Sequence, residues 1–348
     1  MTARRLLWSE MVPYDRIAEP GLLADLAARR VDLVVAVTPP AGVPGSFAPV
    51  ARLVDRCRAA GVGIGLWPML DDRHGRWPSA ANAARFAGFC RQLVASLRAA
   101  GALPGEIAID LEPPIDRVRA LLAGQPRALF TLLDVPARAG AAPLADLARE
   151  LRGEHLRVSA AVTPMAVLPS ALASRAWQEL FGTPLDRLAL DRVNAMAYTS
   201  LFEGYARGAL DRADALALLG AVARACARRF GVRAAISLGV VGGGALGDER
   251  AYRSPRELAE DVAVAGAAGI EEIALYALDG VLARPPRELW LDALSAAPAP
   301  AAEMRATPRS RAALAAGSAL GVVAAGIGRL RLRAFSRWLG RSSPQARG

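Results

Sequence analysis

The chain has 348 residues, 53% of them hydrophobic, which fits one barrel-sized domain with an appendage, or two ordinary domains, and excludes a disordered chain. Residues 301–348 hold nine arginines and one glutamate, so this tail contributes +8 of the net charge of +10. The net charge of the other 300 residues, about +2, is too small for a basic surface that would bind a nucleic-acid backbone. We therefore expect no nucleic-acid partner.

Short apolar runs alternate with longer stretches of helical periodicity along residues 1–295. The runs predict eight strands: Leu6–Val12, Val31–Thr38, Val62–Pro68, Ile107–Glu112, Leu156–Thr163, Val193–Thr199, Ala234–Val241 and Ile273–Leu278. Eight strands that alternate with helices predict an α/β fold, a (β/α)8 TIM barrel over residues 1–295. A doubly wound open sheet is the alternative, but the glycine-rich fingerprint typical of that fold does not follow the first strand.

The fourth predicted strand carries the strongest chemical signal. Residues 105–114 read Gly-Glu-Ile-Ala-Ile-Asp-Leu-Glu-Pro-Pro, so aliphatic residues alternate with Asp110 and Glu112 before two prolines end the strand. Side chains two apart share a face, which sets the two carboxylates roughly 7 Å apart at the carboxyl end of the strand. Barrel enzymes keep their catalytic groups at this end, although helix capping or arginine pairing would also account for the pair.

The ends of other strands supply further candidates. By the same alternation, Met196 and Tyr198 of the sixth strand and Tyr276 of the eighth face the barrel interior. Glu10 lies near the end of the first predicted strand and Trp67 near the end of the third. We therefore expect these side chains to surround one site, although inward tyrosines also simply fill barrels.

A glycine run, residues 241–248, follows the seventh strand. Barrels that bind phosphate use the loops after strands seven and eight, so this run indicates a phosphate-binding lyase or isomerase as an alternative function. The sequence has no lysine for Schiff-base chemistry. A flexible connecting loop is the simpler interpretation.

These strand ends resemble those of glycoside hydrolase family 18, the chitinases and their relatives. In that family the fourth strand ends Asp-x-Glu, the sixth Met-x-Tyr-Asp and the eighth Trp-Ser-Leu-Asp or similar. The matching positions here are Asp110 and Glu112, Met196 and Tyr198, and Tyr276 to Asp279. The resemblance covers residues 1–295 in strand order.

The resemblance implies substrate-assisted hydrolysis of a β-linked N-acetylhexosamine glycan. Glu112 would be the general acid, and Asp110 would orient the acetamido group of the substrate. Tyr198 would donate a hydrogen bond to the acetamido oxygen, and Tyr276 would form the floor of the sugar pocket. Substrate contacts are also expected from Met196, Trp67 and Glu10.

Three departures from the family pattern favour an alternative, a catalytically silent carbohydrate-binding barrel. Ala108 stands where the family has an inward Asp, Thr199 replaces an Asp, and Tyr276 replaces a Trp. No cofactor is implied. His74 and His155 are too few for a His-rich metal site, and the three widely spaced cysteines indicate buried thiols.

The two ends of the chain are the places to look for targeting or membrane-binding segments. The first residues lack the apolar stretch of a signal peptide, so we expect a cytoplasmic domain or a true start upstream of Met1. An Ala/Pro-rich linker is predicted over residues 296–311, and an Ala/Gly-rich hydrophobic helix with a basic end over residues 312–348. Small residues recur every fourth position there, at Ala313, Gly317, Gly321 and Ala325.

That spacing is typical of membrane helices that approach closely, and the arginines beyond it suit anionic lipid heads. We therefore predict membrane contact through residues 312–339. A low-complexity disordered tail, or a helix that packs back on the barrel, is the alternative.

Overall fold

The computed structural model describes residues 3–39, 46–123, 137–243, 250–296 and 305–341. Eight parallel strands each pair with the next along the chain, and the last pairs with the first, so the sheet is a closed barrel. The strands are β1 Arg4–Ser9, β2 Val31–Val37, β3 Ile64–Pro68, β4 Glu106–Leu111, β5 Arg157–Val162, β6 Arg192–Met196, β7 Ala234–Gly239 and β8 Glu272–Tyr276. The predicted (β/α)8 barrel is confirmed, and the open-sheet alternative is wrong.

Helices surround the barrel and one long helix follows it. Within the described ranges they are α1 Tyr14–Ile17, α2 Pro20–Arg29, α3 Ala48–Ala59, α4 Ala83–Ala99, α5 Ile115–Leu122, α6 Ala137–Gly153, α7 Ala171–Phe181, α8 Thr199–Tyr205, α9 Arg212–Phe230, α10 Pro255–Ala267, α11 Leu278–Ala283, α12 Arg287–Ser295 and α13 Pro308–Arg341. Parallel strands need such crossovers, since no tight turn can join them.

Two apolar layers follow from the alternation of side chains along each strand. Ile107, Ile109 and Leu111 of β4 pack in the layer between strands and helices, whereas Ala108 packs with other inward residues inside the barrel. The inward face of β4 also carries Asp110, which is 4% exposed. The sheet therefore directs Asp110 toward the barrel axis, as the alternation predicts.

The amino-terminal end of the barrel is closed by ion pairs. Arg4 of β1 pairs with Asp32 at 3.0 Å, with Glu106 at 2.7 Å and with Glu272 at 3.3 Å. Arg192 of β6 reaches the same Glu272 at 3.2 Å. These charges form a floor, so a ligand has to enter from the opposite end, where the strands finish.

The carboxy-terminal helix α13 begins inside the predicted linker, part of which lies outside the described residues. The indole N–H of Trp177 in α7 donates to the Gly317 carbonyl at 2.9 Å. A Cβ on Gly321 would lie 2.4 Å from the Trp177 Nε1 atom, so only glycine permits this approach. The small residues Gly317 and Gly321 therefore let α13 pack closely against α7 of the barrel. This matches the alternative prediction of a helix that packs back on the barrel.

The opposite face of α13 is exposed, with Leu320 at 50% and Val323 at 58%. Within the described ranges, no helix combines the length and apolarity that a bilayer crossing requires. Membrane contact through residues 312–339 stays a prediction.

Candidate active site

A cavity of about 540 Å³ opens at the carboxyl ends of the strands. This volume lies within the range of about 300–1,000 Å³ that is usual for ligand pockets. Its lining includes every site residue predicted from the sequence: Glu10, Trp67, Asp110, Glu112, Met196, Tyr198 and Tyr276. The barrel thus brings together side chains from β1, β3, β4, β6 and β8 or from the residues that directly follow them.

The Asp110 carboxyl has a strongly raised pKa in this cavity. Its side chain is buried, and among the described residues no hydrogen-bond donor reaches its Oδ1 atom. Burial raises its pKa well above the usual value, and the charges of Glu112 and Glu10 add to the increase, while Arg76 opposes it. These surroundings therefore favour the neutral form of the Asp110 carboxyl.

Glu112 lies at the mouth of the barrel, two residues beyond Asp110. It directly follows β4, its side chain lines the cavity, and the residue is half-buried. Pro113 and Pro114 end the strand there, so Glu112 is the last position that the alternation of β4 can direct. The pair combines a deeply buried carboxyl with one that is more accessible.

Aromatic rings form one wall of the cavity. Trp8 and Trp67 meet edge to face with their ring centroids 5.0 Å apart, and Trp67 meets Tyr276 in the same way at 6.4 Å. Tyr198 stacks on Tyr276 with centroids 5.9 Å apart and ring planes 9° apart. Gly239 of β7 makes room for this stack, because a Cβ there would lie 3.3 Å from the Tyr198 ring. The rings hold each other in place and present a rigid apolar surface.

Glu10 is held in place by neighbouring groups. The Tyr276 hydroxyl donates to its carboxylate, and the Arg76 guanidinium forms an ion pair with it. Its pKa is raised because the group is buried, although the Tyr276 hydrogen bond and Arg76 act in the opposite direction. Asp279 fixes the backbone beneath, where it accepts from the Glu10 N–H at 3.3 Å and the Met11 N–H at 2.8 Å.

Three residues of this region escaped the sequence prediction: Trp8, Trp77 and Arg76. The alternation of β1 would have placed Trp8 inside the barrel. Arg76 and Trp77 belong to the loop after β3, which has no periodicity. The Asn82 amide shapes this loop, since it donates to the carbonyls of His74 at 2.9 Å and Trp77 at 2.8 Å.

Thr199, which departs from the family pattern, does not line the cavity. Its hydroxyl donates to the carboxylate of Asp261 at 2.5 Å and accepts from Arg212 at 2.8 Å, both outside the barrel. Burial raises the pKa of Asp261 to about 6, against the effect of Arg212. This network anchors the end of β6, next to Tyr198, on α10.

The glycine run after β7 lies partly outside the described residues, which include Gly242 and Gly243 but not residues 244–248. Gly242 has a φ of +84°, and a Cβ there would lie 2.6 Å from the Gly280 Cα atom. The close approach of the Gly242 and Gly280 backbones thus explains why glycine is present at position 242, and no phosphate-binding role is needed to explain it. Over the described part of the chain, no group of His, Cys, Asp and Glu side chains could hold a metal ion.

The fold has known counterparts. The PgaB (BpsB) glycoside hydrolase domain from Bordetella bronchiseptica aligns with 84% of this chain and 99% of its own, with 12% identity and a TM-score of 0.55. A variant of GH5_18 from Streptomyces cattleya, in complex with Manb1-4GlcNAc, aligns with 90% of this chain and 80% of its own, with 15% identity and a TM-score of 0.50.

A chitinase from Chromobacterium violaceum also aligns, over 84% of this chain and 98% of its own, with 15% identity and a TM-score of 0.49. No family model and no curated protein sequence matches this chain. The first two likenesses show that the chain has the TIM-barrel fold of glycoside hydrolases. The predicted TIM barrel is therefore confirmed as a fold, and membership of family 18 stays a prediction.

Proposed function

We propose that the protein is a glycoside hydrolase that cleaves β-linked N-acetylhexosamine glycans with the help of the substrate's own acetamido group. The observation that carries the proposal is the acidic pair of Asp110 and Glu112 in a cavity walled by aromatic rings. A buried carboxyl with an oxygen that no donor of the described ranges reaches is costly for folding. A role toward a bound ligand accounts for that cost.

In this mechanism Glu112 donates its proton to the glycosidic oxygen while the bond to the anomeric carbon breaks. The acetamido oxygen attacks that carbon and forms a cyclic oxazolinium ion, so no enzyme nucleophile is needed. The Glu112 carboxylate then takes a proton from the water that attacks the same carbon, which regenerates the acid and the N-acetyl group.

Asp110 orients the acetamido group in its ionised form, in which it accepts the amide N–H. The interaction between the two acids favours one shared proton, because neighbouring carboxyls disfavour double ionisation. In the productive arrangement the proton resides on Glu112 and the charge on Asp110. The positive oxazolinium ion then meets a negative partner in a site of low polarity, where the attraction is strong.

The remaining lining residues bind the substrate in this proposal. Tyr198 donates to the acetamido oxygen, Tyr276 forms the floor of the sugar pocket, and Trp67 and Met196 pack on sugar faces. Glu10 binds sugar hydroxyls from the rim. The rings are already locked by contacts with one another, which reduces the entropy lost on binding.

One observation favours a second candidate, a glycan-binding barrel without catalysis. Ala108 is completely buried on the inward face of β4, at the position where family 18 has a third carboxylate. Without a carboxylate at position 108, the Asp110 carboxyl has one group fewer to which it can pass its proton. Binding would survive this change more readily than turnover.

Turnover of a fluorogenic N-acetylglucosamine oligomer separates the two candidates. We expect the wild-type protein to release the fluorophore, and Glu112→Gln to reduce the rate by about 100-fold or more while it still binds the oligomer. The matched control is Asp116→Asn, an exposed acid on α5 that does not line the cavity. Binding without turnover in the wild type would support the silent barrel and contradict the hydrolase.

A further inference from the structure

The cavity extends well beyond the barrel mouth. Its charged lining groups, Glu10, Asp110 and Glu112, all belong to the ends of β1 and β4. The rest of the cavity runs outward past the loop after β5 and past α8, and reaches α9 and α13. This outer part is defined by the apolar lining residues of these elements, among them Met165, Leu168, Phe202, Leu218, Ala313 and Leu314, and by Tyr205.

The outer part offers almost no polar partner. Among its described lining side chains, only Tyr205 carries an oxygen or nitrogen atom, and that residue is 43% exposed. Every hydroxyl of a sugar placed there would lose hydrogen bonds to water without replacement, which is unfavourable. A further sugar unit is therefore a poor fit for this part of the cavity.

Helix α13 closes the outer part and is firmly attached. Trp177 bonds the Gly317 carbonyl, and the Thr307 hydroxyl just before the helix donates to Asp214 of α9 at 2.5 Å. Ala313 and Leu314, within two turns of Thr307, face the cavity. The apolar space is thus a built part of the fold, with α13 as its wall.

We propose that this outer part binds a hydrocarbon chain attached to the sugar, so that the ligand is an amphiphilic glycoside with an alkyl or isoprenoid aglycone. The inference rests on the proposed function for its sugar end only. An apolar chain gains from leaving water and needs no hydrogen bond, which matches an aliphatic wall. The sugar end meets the carboxylates and the aromatic rings of the same cavity.

The reaction on such a ligand balances with water alone. The bond between the anomeric carbon and the aglycone oxygen breaks, and the proton of Glu112 passes to that oxygen to give a free alcohol. Water supplies the hydroxyl of the released N-acetylhexosamine and returns a proton to Glu112. The alkyl chain takes no part in the chemistry and contributes binding.

Chain-length dependence of binding tests the inference. Methyl, butyl, octyl and dodecyl β-N-acetylglucosaminides, each below its micelle concentration, are titrated calorimetrically into the full chain with Glu112→Gln, in which the slow turnover leaves the glycoside intact during the titration. We expect the affinity to rise by about fourfold per added methylene until the outer part is filled. The heat capacity change of binding should become more negative with chain length.

Two variants locate the chain. Ala313→Trp fills the outer part from α13, and Met165→Trp fills it from the loop after β5, should the first variant fold poorly. Either is expected to weaken dodecyl glycoside binding at least tenfold and to leave methyl glycoside binding unchanged. Val323→Trp, on the exposed face of the same helix, is the matched control and should have no effect.

The outcomes separate the inference from the proposed function. Affinity that is independent of chain length, or weakened equally by Ala313→Trp and Val323→Trp, overturns the hydrocarbon site even if the wild type cleaves sugars. Chain-length-dependent binding that Ala313→Trp abolishes supports the hydrocarbon site. If the wild type then fails to release the alcohol, the hydrolase proposal fails and the binding site stands.

Discussion

Two carboxylates on the inward face of β4 lie at opposite ends of the barrel and have opposite surroundings. Glu106, 2% exposed, pairs with Arg4 at 2.7 Å and with Arg157 at 3.9 Å. Asp110, 4% exposed, has one oxygen without a hydrogen-bond donor among the described residues. On the same strand, Glu106 at the floor is thus paired with arginines, whereas Asp110 toward the mouth lacks a hydrogen bond to one of its oxygens.

The difference shows how stability and function divide along a barrel. Buried charges are tolerated when they are paired, and the floor follows this rule with arginines from three strands, β1, β5 and β6. The mouth keeps a desolvated carboxyl whose pKa is raised by burial. A group in this condition destabilises the fold and is suited to proton exchange with a ligand.

The largest effect on stability is expected at the floor. Glu106→Gln removes the most buried of the three carboxylates that pair with Arg4 and should lower the free energy of unfolding by about 2 kcal/mol, since Asp32 and Glu272 then compensate the Arg4 charge only in part. Urea unfolding monitored by circular dichroism measures this loss. Glu150→Gln, in an exposed pair with Arg91, is the control and should cost less than about 1 kcal/mol. Equal losses of unfolding free energy in Glu106→Gln and Glu150→Gln would contradict the view that the ion pairs of the floor stabilise the fold more than surface pairs do.

At the mouth of the barrel, removing the acid is expected to increase the free energy of unfolding rather than to lower it. Asp110→Asn should raise the free energy of unfolding by about 1 kcal/mol at pH 7, because burial disfavours the ionised carboxyl that the unfolded state carries freely in water. The native pKa of Asp110 lies above its unfolded value, so the native state binds the proton more tightly and its stability falls as the pH rises through the native pKa. The gain should therefore disappear below the usual Asp pKa of about 3.9.

Urea titrations at neutral and acidic pH check this prediction, with the exposed Asp116→Asn as the matched substitution. A gain of the same size at both pH values would contradict the raised pKa. A loss of stability at pH 7 would contradict the view that Asp110 is kept for function.

The smallest effect is expected from Arg76, a cation in the loop after β3 whose charge acts on both Asp110 and Glu10. Arg76 lowers the pKa of Asp110 and of Glu10. Arg76→Gln should therefore move the acidic limb of the pH–rate profile to higher pH, because Asp110 must be ionised to orient the acetamido group. The profile of kcat/KM reports this limb in the free enzyme. Arg73→Gln, an exposed neighbour in the same loop, should leave the limb in place.

The sequence predicted what depends on local periodicity. Ile107 and Asp110 fall on opposite faces of β4 because a strand alternates every residue, and this alternation needs no tertiary information. The same rule gave the inward positions of Met196, Tyr198 and Tyr276. Their catalytic and binding roles stay predictions, since geometry places side chains in a cavity without showing what they do there.

Features that depend on distant partners were not predictable. Arg76 reaches Glu10 across 66 positions from a loop without periodicity, in a left-handed conformation with φ of 57°. The small residues of α13 indicated a close helix approach, but the partner of Gly317, Trp177, lies 140 positions away. A local pattern can specify that a face packs closely without specifying what it packs against.

The most direct test of the proposed chemistry compares two substrates that differ by one functional group. Release of a fluorophore is measured from an N-acetylglucosamine trimer and from the matched glucosamine trimer, which lacks the acetamido oxygen. We predict turnover of the acetylated trimer alone, since that oxygen replaces the enzyme nucleophile and Asp110 has nothing else to orient. Equal turnover of both trimers, or a preference for the glucosamine trimer, would contradict the assignment of Asp110 and Glu112 to substrate-assisted hydrolysis.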